Sequence, residues 1–278
     1  MIDIYPNPET MREQYFVFLD IDGTLYDKTI RDLRPSSIEI IDKLSKDDRF
    51  DLYIATGRSK NTITHISKYF DKFKGFVFAN GQIVEVDNKC IYNNSINYQL
   101  VNNFIDYCDN MHYTMVLLTN TLLYYNEFEE VAKTNFEKTI AQKIYPLNGK
   151  RFNETDIINQ IWLFVDNTTL EYLRPKFPEF NIINWGTKFG SDIIPSGSSK
   201  GEGVAKVIEY MGYDINNTYA IGDSDNDVVM FEKVGTSICM GNGTDTAKKH
   251  ADIVGYDILE EGLAKNITQY VLKEKPQI

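Results

Sequence analysis

The sequence predicts an α/β protein whose core is a doubly wound, Rossmann-like parallel sheet, interrupted by an inserted α+β block. Three observations carry that expectation. Short apolar runs rich in β-branched and aromatic residues recur along the chain, and each is followed by a polar, Gly-containing turn. Segments with apolar residues at helical spacing alternate with those runs, the pattern of parallel strands joined by crossover helices. The alternation stops after Gly81 and returns before Lys200, so an insertion divides a core built from both ends of the chain.

Tyr15–Leu19 is short, apolar and stopped by Asp22-Gly23, which reads as a buried strand with a turn signal behind it. Pro35 and Ser36 suit a helix start, and Ile38, Ile41 and Leu44 continue one apolar face. Residues 51–55 (DLYIA) form a second strand, Thr56-Gly57-Arg58-Ser59 leads into a helix over about 60–70, and residues 76–79 (FVFA) form a third strand. Residues 82–95 read as a hairpin turning at Asp87-Asn88. From Asn97 to about Trp185 the order is helix, two strands, helix, a strand over 160–165, a short helix and a strand, with no Gly-rich strand ends. The core is expected to resume with a strand closing at 192–195. An amphipathic helix over Lys200–Met211 follows, then strands over 218–221 and 237–240. The expected division is a discontinuous core, residues 1–85 and 188–278, around an inserted domain over 86–187.

A chain of 278 residues accommodates one large domain or a domain with a smaller second one. The formal net charge of -11 argues against nucleic acid and against an anionic membrane as partners. No apolar run approaches the roughly 18 residues of a membrane span, and residues 1–15 lack the basic flank and apolar core of a secretory signal. Cys90, Cys108 and Cys239 are odd in number and show no paired spacing, as reduced, mostly buried thiols do. A cytoplasmic protein is expected.

Ligands of an open parallel sheet bind beyond the carboxyl ends of its strands. The polar residues at those ends are Asp20, Asp22, Thr24, Thr56, Gly57, Arg58, Asn80, Asp223, Asp225, Asn226 and Asp227. Carboxylates from separate strands do not sit together ionised without a cation between them. Hard oxygen ligands in small number suit Mg²⁺, and Mn²⁺ or Co²⁺ are accepted by the same set. Such an ion, with a lysine, makes a local positive exception in an acidic protein and so attracts a phosphorylated substrate. The hydroxyl and N–H groups of Thr56-Gly57, at a helix start, suit phosphate oxygens. A carboxylate beside metal and phosphate can act as nucleophile, and a second one two residues on can move a proton.

FLDIDGTLYD, IATGRS, PSGSSKGEG and AIGDSDNDVVM, in this order, resemble the four motifs of the haloacid dehalogenase (HAD) superfamily. MGNGTDTAKKHADIVGYDILEEGL and the position of the insertion resemble the Cof-type branch of hydrolases. The resemblance implies that Asp20 is the nucleophile and a metal ligand. It implies that Asp22 is the general acid and base, with its backbone carbonyl on the metal. Thr56, Gly57 and Asn226 then match phosphate contacts, and Lys200 offsets charge on the nucleophile and phosphoryl group. Asp223 matches a metal ligand and Asp227 the second acidic position of the metal site. The implied activity is Mg²⁺-dependent hydrolysis of small phosphorylated metabolites, sugar phosphates or similar, through an aspartyl-phosphate under a closing cap. The implied assembly is a monomer or small homo-oligomer.

A hexose-phosphate mutase-type phosphotransferase and a non-catalytic phosphometabolite-binding protein share this fold and remain alternatives. A signalling receiver domain does not carry DxDGT or a large insertion. Arg58 reads equally well as a surface ion pair and stays outside the expected site, as does Asp225, a solvated loop residue. His65, His112 and His250 are isolated. Trp162, Trp185 and residues 122–125 are expected to pack rather than touch substrate.

Overall fold

The computed structural model describes residues 13–119, 123–125, 147–148 and 154–274. The chain opens with β1 (Tyr15–Leu19), the short pair β2 (Tyr26–Asp27) and β3 (Asp32–Leu33), helix α1 (Pro35–Ser45), β4 (Phe50–Ala55) and β5 (Gly75–Phe78). The hairpin β6 (Ile83–Val86) and β7 (Lys89–Asn93) follows, then α2 (Tyr98–Asn110), β8 (Thr114–Leu118), β9 (Leu123–Tyr125) and β10 (Leu147–Asn148). Next come β11 (Gln160–Asp166), α3 (Asn167–Lys176), β12 (Phe180–Asn184) and β13 (Phe189–Pro195). Helix α4 (Lys200–Met211) leads to β14 (Thr218–Gly222), β15 (Thr236–Cys239) and β16 (Ile253–Val254).

The first sheet has the order β16-β15-β14-β1-β4-β5-β6-β7. Its strands from β16 to β5 are parallel, and the β6–β7 hairpin closes one edge antiparallel. The chain winds outward from β1 through β4 and β5, then restarts on the other side of β1 with β14. Strand order therefore reverses at β1, which puts the ligand crevice at its carboxyl end. The β1 sequence is apolar throughout because both faces are covered. Val17 and Leu19 pack with Ile41 and Leu44 of α1, while Phe16 and Phe18 pack with Val204 and Val207 of α4.

Helix α1 starts with Pro35 in its first turn, where the missing N–H costs nothing. Helix α4 is capped by Ser199, whose Oγ accepts the Glu202 N–H at 3.1 Å, and ends at Gly212 in the left-handed region, φ 67°.

The second sheet, β10-β9-β8-β11-β13-β12, is antiparallel except at its β9–β10 edge. Helices α2 and α3 cover one face: Val101, Phe104, Leu170 and Leu173 pack with Ile161, Leu163 and Ile193. Strand alternation sends Trp162 and Asp192, which are register partners, to the opposite face. That face looks onto the carboxyl ends of the first sheet.

Three expectations need correction. The strand expected at 192–195 belongs to β13 and pairs with β11 and β12 in the second sheet, not with the core. A short apolar run closed by proline reads alike in either sheet, because only tertiary pairing selects the partner. The helix expected over 60–70 is two 3₁₀ segments, Lys60–Thr62 and Thr64–Lys72. Thr62 Oγ1 donates to the Ser59 carbonyl at 2.8 Å, and Ile63, Ile66 and Tyr69 recur every third residue, the 3₁₀ period. The division at 86 and 187 cuts across sheets, since β7 pairs in the first and β13 in the second. From sheet membership we propose junctions after Asn93 and after Pro195. The hairpin turn has positive φ at both Asp87 and Asn88, as a two-residue turn of the favoured hand requires. The helix expected between the second strand of the inserted block and β11 lies outside the described residues, as does most of the segment preceding β1.

Candidate active site

The site begins where β1 ends. The Asp20 N–H donates to the Ile221 carbonyl at 2.9 Å, extending the β1–β14 pairing and holding the buried carboxylate at the switch point. The chain then turns through Gly23 at φ 87°, where a Cβ would lie 2.3 Å from Asp223 Oδ2. Glycine is needed there for the backbone conformation and for the approach of the neighbouring loop. That loop, after β14, is tied by Asp227: its Oδ2 accepts the N–H groups of Asp223 and Ser224, both at 2.9 Å. Its Oδ1 accepts Lys200 Nζ at 2.6 Å, and the same ammonium reaches Asp20 Oδ1 at 2.7 Å. Lys200 opens α4, where a cation opposes the helix macrodipole, and its side chain is fully buried. The two carboxylates outweigh both costs.

Carboxylate oxygens of Asp20, Asp223 and Asp227 lie within 4.8 Å of one another. Three carboxylates against one ammonium leave the cluster net negative. Burial pushes Asp20 up to about 7, opposed by Lys200 and reinforced by Asp227. Burial and the charges of Asp20 and Asp227 push Asp223 up to about 8. Burial alone would lower Lys200, but Asp20 and Asp227 raise it above the usual lysine range. A buried cage of hard oxygens with excess negative charge fits a small dication such as Mg²⁺.

Asp22 faces a different environment. Arg58 grips it with two hydrogen bonds, Nε to Oδ2 at 2.5 Å and Nη2 to Oδ1 at 2.8 Å, and Lys28 lies 3.8 Å away. Burial pushes Asp22 up, but Arg58 and Lys28 prevail and hold it below the usual carboxylate range. Arg58, set aside in the sequence reading, is thus a residue of the site, with 12% of its side chain exposed. A single arginine behind a strand carries no spacing signature; its partner identifies it.

Asp20, Asp22, Thr56, Gly57, Lys200, Asp223 and Asn226 all line one cleft of about 630 Å³. Asp227 lies fully buried behind them and reaches the cleft through Lys200. Thr56 is fixed by its N–H to the Val77 carbonyl at 2.8 Å, and its Oγ1 accepts the Arg58 N–H at 3.1 Å. The segment after Thr56-Gly57 opens a 3₁₀ turn, so the expected helix N-terminus is absent there and no α-helix macrodipole backs the loop's hydroxyl and N–H groups. The opposite wall comes from the second sheet and includes Trp162, Ile183, Trp185 and Asp192. The two indoles pack edge to face, with ring centroids 5.8 Å apart, so they pack as expected and also line the cleft. Asp192 escaped the sequence reading because its strand was assigned to the core. The side chains of residues 122–125 lie outside the described residues.

The profile of the haloacid dehalogenase-like hydrolase family matches residues 17–267. YkrA of Bacillus subtilis (strain 168), itself named only provisionally as a phosphatase, is 30% identical over 93% of this chain and 96% of its own. The pyridoxal phosphate phosphatase YbhA of Escherichia coli (strain K12) is 24% identical over 92% of this chain and 98% of its own. Among solved structures, a protein of Geobacillus kaustophilus HTA426 superposes with a TM-score of 0.81 at 28% identity, covering 92% of this chain and 98% of that one. The HAD subclass IIB sugar phosphatase BT4131 shares the fold, with a TM-score of 0.83 at 23% identity over 92% of this chain and 99% of its own.

Proposed function

Because the chain belongs to the haloacid dehalogenase-like hydrolases, in their Cof-type branch, and is a phosphatase of phosphoric monoesters, we propose that it hydrolyses small phosphorylated metabolites, sugar phosphates or similar, through an aspartyl-phosphate on Asp20. The observation that carries this reading is the convergence of four separated segments on one cleft around the Asp20–Lys200–Asp227 bonds. Asp20 Oδ1 is engaged by Lys200, which leaves Oδ2 to attack phosphorus. Asp22 then gives a proton to the leaving oxygen and later takes one from the water that cleaves the acyl phosphate. Lys200 stabilises the charge that builds on the transferring group, and Thr56, Gly57 and Asn226 hold its oxygens. Asp20, the Asp22 backbone carbonyl and Asp223 would hold Mg²⁺, with Asp227 behind them, and the ion supplies positive charge against the phosphoryl oxygens. A cleft of about 630 Å³ is metabolite-sized, and Trp162, Trp185 and Ile183 face the leaving group.

Release of inorganic phosphate from a panel of sugar phosphates, pyridoxal phosphate and nucleotide monophosphates tests the reading. The wild type should release phosphate only with Mg²⁺, and Asp20→Asn should lose at least about 10³-fold in kcat while keeping its fold. Isomerised sugar phosphate in place of free phosphate would move the assignment to a mutase. Near-normal turnover by Asp20→Asn would sink it.

A further inference from the structure

The mechanism gives no part to Asn80 or Asp192, yet these two link Trp185 on the wall of the cleft to Asn226 on its floor. Trp185 Nε1–H donates to Asp192 Oδ1 at 2.8 Å, and Asn80 Nδ2–H donates to Asp192 Oδ2 at 2.8 Å. Asn80 Oδ1 accepts from Asn226 Nδ2 at 3.2 Å, and Asn226 Oδ1 accepts from Ser224 Oγ at 2.6 Å. Trp185 and Asp192 belong to the second sheet and its turn, Asn80 follows β5, and Ser224 and Asn226 follow β14. One chain of hydrogen bonds thus joins the cap to the phosphate side of the core.

Its polarity is set at one end. The Ser224 hydroxyl can donate or accept, whereas Asp192 meets an N–H donor on each carboxylate oxygen; burial pushes it up to about 7, and these donors favour the ionised form, which only accepts. Asp192 therefore draws the NH₂ edge of Asn80, which leaves the Asn80 carbonyl oxygen for Asn226. Asn226 in turn must offer its NH₂ edge on that side, the edge that a phosphoryl oxygen also needs. Both amides lie against the phosphate loop: a Cβ on Gly57 would be 3.0 Å from Asn80 Oδ1 and 3.4 Å from Asn226 Nδ2. Asn80 is fully buried at φ 53°, ψ 41°, the left-handed region that Asn and Asp tolerate better than other side chains.

We propose that Asn80 and Asp192 are positioning residues through which the cap fixes the orientation of the Asn226 amide and thereby the phosphate affinity of the core. This rests on the reading of the cleft as a phosphatase site. Without Asp192 as terminal acceptor, the Asn80 amide is free to flip and present a donor to a donor, and Asn226 loses its preferred edge. The cap then registers at the phosphate site by hydrogen-bond polarity rather than by touching phosphate itself.

A reciprocal exchange tests this. Asp192→Asn removes the acceptor-only end, and Asn80→Asp sets two carboxylates against each other. Together they restore the bonds of this chain: the amide introduced at 192 donates to the carboxylate introduced at 80, which still accepts from Asn226. The oxygen of that amide still accepts from Trp185. Calorimetric binding of inorganic phosphate with Mg²⁺, and kcat/KM for the best substrate, should each weaken about 10- to 100-fold in either single variant. Both should return to within about threefold of wild type in the double variant. Losses that add in the double variant, as a merely structural role predicts, overturn the proposal, as do single variants that bind phosphate like the wild type. Should Asn80→Asp not fold, Asn80→Gly keeps the left-handed backbone and deletes the amide. Asp192→Asn should then cost nothing further in that background, and an additional loss overturns the proposal equally. A wild type that neither binds nor releases phosphate fails the site reading itself, which is a separate result.

Discussion

Asp20 and Asp22 stand two residues apart yet are tuned in opposite directions, one raised by burial and the other held down by Arg58 and Lys28. Asp22 is therefore a carboxylate in the substrate-free protein. A phosphate dianion entering beside Arg58 would add negative charge near Asp22 and move it toward the protonated state that its proposed role as general acid needs. Asp27 shows the same chemistry in a structural role. Nearly buried, it accepts the Thr29 N–H at 2.8 Å, the Thr29 hydroxyl at 2.7 Å and Arg34 Nε at 2.8 Å. Burial raises its pKa, but these donors prevail and lower it below the ordinary value. A lowered folded-state pKa contributes stability above the unfolded value near 4, and the contribution is lost as pH falls through the folded value. Asp27→Asn should cost about 1–3 kcal/mol in urea unfolding at pH 7, and the gap should shrink as the pH is lowered through the carboxylate range. A gap of the same size throughout that range would contradict the account.

Among the elements, the strands of the first sheet were legible because burial on two faces writes continuous apolar runs, and glycines mark where they stop. The loop after β1 was legible for the same reason, since Gly23 answers to a close approach by Asp223. What the sequence concealed is decided across the chain. β13 takes its partners from β11 and β12, Arg58 takes its meaning from Asp22, and Asp192 from Asn80 and Trp185. Helix α4 shows packing overriding propensity. Gly201 lies in its first turn, where alanine would gain up to about 1 kcal/mol of helix propensity. A Cβ there would come 2.0 Å from the Val229 carbonyl oxygen, which is backbone and cannot swing aside. Gly201→Ala should therefore destabilise by about 1–3 kcal/mol and displace Lys200, lowering kcat. A stabilised variant with full activity would show that α4 has room to shift.

At the scale of the molecule, the core carries its own apolar clusters on both faces of the first sheet, and the cap carries a third. The two crossings of the chain lie side by side, for Asn94 Nδ2 donates to Ser198 Oγ at 2.8 Å. Replacing residues 95–197 by a short Gly-Ser linker should therefore leave a folded core that unfolds cooperatively and still binds Mg²⁺. A core that does not fold would mean that the cap completes it. Among the described residues no helix is long and apolar enough to cross a membrane. The net charge of -11 leaves Lys200, Arg58 and Lys28 as the local cations that meet a phosphorylated ligand at the cleft.

The central claim is that Asp20 becomes phosphorylated during turnover. The direct measurement is rapid acid quenching with the best substrate and Mg²⁺, followed by mass analysis of the tryptic peptide spanning residues 13–28. One phosphoryl group should appear on Asp20 before the steady state is reached, and Asp20→Asn should show none. Turnover without any adduct at any quench time, or an adduct that persists unchanged in Asp20→Asn, would contradict it.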